Sequence, residues 1–92
     1  MRKKVVEANL TITIPADQWV QEDEMYRYVY RVMNLTSQHV AIVTPVSSSK
    51  ENLLEIAKCM VVSEQTGDAV VFTAATKKPS RTLEFKLQVI GM

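Results

Sequence analysis

The chain has 92 residues, with 11 lysines and arginines against 10 aspartates and glutamates and a formal charge of +1. That length makes a single domain, 1–92, and so even a charge balance gives no global field to draw in nucleic acid. A hydrophobic fraction of 47% with 23% charged residues belongs to a globular chain able to bury roughly 60–70% of its unfolded surface, which excludes wholesale disorder.

Cys59 is the one cysteine, so an internal disulfide and a cysteine-built metal site are both excluded. That usage fits a reducing compartment at synthesis. No apolar run approaches the ~20 residues that span a bilayer, and the start, Met1-Arg-Lys-Lys-Val-Val, lacks the apolar stretch of a signal peptide. The expectation is a complete small gene product with residues 1–4 flexible. Arg2-Lys3-Lys4 and Lys77-Lys78 read as a solvated terminus and a solvated turn.

From Ala8, the residues Leu10, Ile12 and Ile14 alternate with Asn9, Thr11 and Thr13, the pattern of a half-buried strand that Pro15 ends. Trp19 follows, and Gln21-Glu-Asp-Glu24 reads as an acidic turn. Alternation resumes at Met25. Tyr26, Tyr28, Tyr30 and Val32 share one face; Arg27, Val29, Arg31 and Met33 share the other. Asn34 marks a turn, since asparagine tolerates the left-handed conformation. His39–Thr44 is a short apolar strand closed by Pro45.

Ser48-Ser-Lys-Glu51 fits a capping box and predicts a short helix over about 50–58, docking through Leu53, Leu54 or Ala57. Cys59–Glu64 and Ala69–Ala75 flank a Gly67 turn and read as a hairpin. Leu83, Phe85, Leu87 and Val89 alternate with Glu84, Lys86 and Gln88 in the last strand. About six strands, one short helix and no βαβ spacing predict a mainly β domain: an antiparallel β-sandwich or small open barrel.

Groups for catalysis are sparse. His39 is the single histidine and reads as a rim residue; Cys59 reads as a small buried thiol rather than a nucleophile. Glu22, Asp23 and Glu24 lie in one turn, not across a cleft as paired catalytic carboxylates must. Their spacing matches no calcium loop. Two glycines, Gly67 and Gly91, cannot build a phosphate loop. The expectation is therefore no enzyme, no metal and no cofactor. Trp19, Tyr26 and Tyr28 form an alternative site, where aromatic rings could stack on carbohydrate or another ligand, although tyrosines at period 2 are more often core.

Leu10, Ile12, Trp19, Tyr26, Tyr30, Val32, Asn34, Val40, Ile42, Pro45, the Gly67 turn, Phe72, Pro79 and Leu83 to Ile90 occur in an order that resembles a family of small tail- and fibre-module proteins. That family belongs to phages and prophages of Gram-positive bacteria, and the resemblance covers about residues 8 to 90. It implies a non-enzymatic structural or accessory module of a tail, baseplate or fibre. It also implies a homo-oligomer that meets other phage structural proteins, is made in the bacterial cytoplasm and is carried in the virion. The chain departs from the family pattern at Arg27, Tyr28 and Arg31, where small polar residues are usual. The face formed by Arg27, Val29, Arg31 and Met33, neither clean core nor clean surface, is where a partner is expected.

Overall fold

In a computed structural model, residues 5–32, 35–36 and 38–91 are described, residues 5–8 by their backbone alone. Seven strands form two antiparallel sheets. In the first sheet β7 (Leu83–Gly91) lies between β1 (Val5–Ile14) and β4 (His39–Pro45). The second runs in the order β2 (Val20–Glu22), β3 (Met25–Arg31), β6 (Ala69–Ala74) and β5 (Val61–Thr66). The sheets pack face to face, because their inner residues form one apolar cluster. Ile12, Ile14, Leu83, Phe85, Leu87 and Val89 come from the first sheet; Val70, Phe72 and Ala74 come from the second. Of the two architectures expected, the molecule is the sandwich, and among the described residues no barrel closes. Residues 1–4, Met33 and Asn34 lie outside the described residues.

Period 2 explains the layering. Residues paired across strands share a face, so Tyr26, Tyr28 and Tyr30 point inward beside Ala74, Phe72 and Val70. All three tyrosines are half-buried against the core. Aromatic rings run through the sandwich. Trp19 and Tyr28 centroids are 6.3 Å apart, Tyr28 and Phe72 are 6.4 Å apart, and Phe72 meets Phe85 of the facing sheet at 4.8 Å. These spacings fall in the favourable range for tilted aromatic pairs.

The acidic turn is shorter than the sequence suggested. Val20, Gln21 and Glu22 form β2, and Glu22 pairs with Met25 across a two-residue turn of Asp23 and Glu24. Both turn residues have positive φ, 51° and 71°. A tight hairpin needs that twist, and most such turns use glycine or asparagine to reach it. β2 went unread because three residues are too few to show a period.

The helix also differs in phase. α1 (Lys50–Cys59) begins at Ser49, whose Oγ accepts from the Asn52 amide at 3.2 Å, one residue later than the capping box at Ser48. Its buried side chains are Asn52, Glu55, Ile56 and Cys59, while Leu53, Leu54 and Ala57 face solvent. Leu54 is 58% exposed. Docking through the leucines is thus overturned. Asn52 and Glu55 find partners on β7 and on the segment after β6 that no leucine could satisfy. Asn52 Nδ2 donates to the carbonyls of Val46 and Glu84, both at 2.9 Å, and its Oδ1 accepts from the Glu84 amide at 2.8 Å. At the far end, Met60 adopts a left-handed cap, and its amide donates to Ala57. Thr76 closes the last turn through its hydroxyl to Lys58 at 2.8 Å and its amide to Cys59 at 3.1 Å.

Candidate functional site

Among the described residues no three metal-ligating side chains cluster, and no helix is long and apolar enough to cross a membrane. His39 sits at the entrance to β4, where its Nδ1 accepts the Thr36 amide at 3.2 Å. The ring therefore serves a turn. Cys59 is fully buried, and its thiol lies 3.5 Å from Glu55 Oε2. Burial, reinforced by the neighbouring carboxylate, raises the thiol above its ordinary pKa and holds it protonated, the opposite of what a nucleophile needs. Glu55 is 7% exposed and accepts the amide and hydroxyl of Ser80 at 2.8 and 3.1 Å. The Ser80 amide is the main cause of its lowered pKa, with burial opposing. His39 and Cys59 are thus each engaged in local structure.

Trp19 is 5% exposed and packs against Tyr28 with the two rings tilted by 54°. Of the three residues read as an alternative ligand platform, Trp19 is core, and Tyr26 and Tyr28 are half-buried against the core beside it. The indole Nε1 has no hydrogen-bond partner among the described residues. An open depression of about 380 Å³ crosses the first sheet, lined by Asn9, Leu10, Thr11, Thr44, Lys86 and Gln88 among others. It carries a lysine and no carboxylate, so it offers no acid–base pair.

The remaining surface of interest is the outer face of the second sheet. Pairing sets Val29 beside Val71, with Arg27 beside both Val20 and Thr73, and Thr73 beside Val62. Val20, Val29 and Val62 are exposed. The arginines expected at an interface are tethered on this face. Arg27 reaches Glu22 at 2.8 Å and Arg31 reaches Asp68 at 3.2 Å, so each guanidinium borders the valines with its charge partly balanced. Arg27 is half-buried. Its Nε also has no partner. Met33, the fourth residue expected here, lies outside the described residues. Sequence periodicity found β3's share of this face but missed Val20 and Val62, which join it only through strand pairing.

The strand edges differ from one another. β2 is three residues long. β5 carries Glu64 and presses Gln65 toward β4. The Gln65 amide treats β4 as a neighbouring strand would: Oε1 accepts the Ala41 amide at 3.0 Å, and Nε2 donates to the His39 carbonyl at 3.2 Å. Pro45 then ends β4 without an amide to offer. β1 carries Glu7 beside a register shift at its start, and none of these features beyond it. No described strand pairs with its second edge, and from Ala8 to Ile14 it contains neither charge nor proline.

Comparison with family models, with curated proteins and with solved structures gives no match.

Proposed function

We propose that the protein is a non-enzymatic structural or accessory module that works by self-association, in the phage or prophage tail, baseplate or fibre setting its strand order resembles. The observation that carries the reading is the outer face of the second sheet, where exposed Val20, Val29 and Val62 lie among the Arg27–Glu22 and Arg31–Asp68 pairs. Exposed apolar side chains interspersed with charge-paired arginines suit a protein interface, where arginine is enriched. The engagement of His39, Cys59 and Glu55 in local structure supports a role without chemistry.

Light scattering tests it. At about 100 µM, where an interface of that dissociation constant is half populated, the mass should exceed that of one chain. Val29→Glu should lower it, because a carboxylate placed on that face loses solvation on association. A strict monomer at that concentration overturns the reading.

A further inference from the structure

We propose that a second copy of the chain pairs along the free edge of β1, antiparallel to its own β1, about a two-fold axis at Thr11. The inference rests on the self-association reading above and goes beyond it by adding a second contact, along an edge of the first sheet, to the face of the second.

An edge strand displays unpaired amides and carbonyls that template another strand, and stable monomers blunt such edges with short strands, charges, proline, bulges or a covering group. Three of the four edges here are blunted: β2 by its length, β5 by Glu64, and β4 by the Gln65 amide and Pro45. β1 carries a charge, Glu7, only at its start, and the rest of its length is unguarded. Its register with β7 shifts between Val6 and Ala8, and Pro15 follows Ile14, so a regular, chargeless stretch from Ala8 to Ile14 lies between a bulge and a proline.

The stretch also suits its own copy. A two-fold contact sets residue i against j and j against i, with only the residue on the axis facing its own copy, and no charge occurs between Ala8 and Ile14 to be repeated across it. An axis at Thr11 places Thr11 against Thr11 and Thr13 against Asn9 on the outer face, neutral polar pairs of the kind that stabilise adjacent strands. On the inner face it places Leu10 against Ile12. Leu10 needs such a neighbour. Ile12 and Ile14 on the same face are fully buried, yet Leu10 is 39% exposed. Joining β1 to β1 would turn two three-stranded sheets into one continuous sheet with β4 at both ends. Those ends are the edges already closed by Gln65 and Pro45, so assembly through this sheet stops at two copies.

The test uses charge at the axis. Thr11 is exposed and pairs with Lys86 within the chain, so neither replacement disturbs the core. Thr11→Lys and Thr11→Glu should each raise the dissociation constant of the β1 contact about tenfold or more, since like charges would meet across the axis. Mixing the two variants in equal amounts should restore association, which a merely misfolded variant cannot do. Amide exchange on the unmodified protein gives an independent readout: residues 9–13 should be more protected in concentrated than in dilute solution. Association that survives both Thr11 variants but yields to Val29→Glu overturns this inference and leaves the functional reading standing. Exchange in β1 that ignores concentration overturns it as well, and a strict monomer overturns both.

Discussion

The sandwich core and the seam beneath α1 are buried alike but held by opposite chemistry. Between the sheets, Ile12, Ile14, Phe72, Leu83 and Leu87 exclude water with no polar group to satisfy. Under the helix, Ile56 and Cys59 join the apolar core, Asn52 and Glu55 add buried hydrogen bonds beside them, and the helix turns its leucines outward. The core gains energy from area and shape, with no direction attached. The seam gains less per residue, because hydrogen bonds formed on folding replace bonds to water. What it adds is position: the Asn52 amide fits the amide and carbonyl of Glu84 and fixes the helix in one place along β7. Area sets how firmly the layers adhere, and paired amides set where the helix sits.

The largest test of that contrast is Phe72→Ala. It should cost about 3–5 kcal/mol, the usual loss for emptying a buried aromatic site, and Phe72→Leu should recover much of it. Asn52→Ala should cost about 1–3 kcal/mol, for stranding the buried Glu84 amide. Here Asn52→Leu should recover nothing, since bulk is not what the site lacks. Denaturant unfolding measures all four. An Asn52→Leu variant as stable as the parent would erase the distinction between core and seam.

Glu55 gives the smallest effect. Its folded pKa lies below its ordinary value, chiefly through the Ser80 amide. The stability it confers is therefore complete above the ordinary glutamate value of about 4.3 and is lost as pH falls through the lower folded value. Glu55→Gln should flatten the acid limb of a stability–pH curve and leave the neutral region changed only by the altered hydrogen bonds. An acid limb identical in the two proteins would remove Glu55 from the account.

Alternation made most of the fold legible. β1, β3 and β7 follow from their periods, and Gly67 marks the β5–β6 hairpin. The helix was legible in place but not in phase. Leu53, Leu54 and Ala57 mimic an inward stripe, and nothing local reveals that Asn52 will meet Glu84, 32 residues later, or that Glu55 will meet Ser80. The candidate surface was half legible for the same reason. Arg27, Val29 and Arg31 are adjacent in one strand, whereas Val20 and Val62 reach the face through pairings that a period cannot specify. The defence of β4 was not legible at all, because it depends on one glutamine side chain from the other sheet.

The burial of Trp19 has a practical side. It is the single tryptophan, and it sits beside Tyr28 at the head of a row of rings that crosses to the opposite sheet. Light absorbed by the tyrosines can pass to the indole, which emits from a dry setting. When the layers part, that transfer weakens and the emission moves to the red as water reaches the ring. The chain thus contains its own optical gauge of whether its two sheets are in contact, readable without a label.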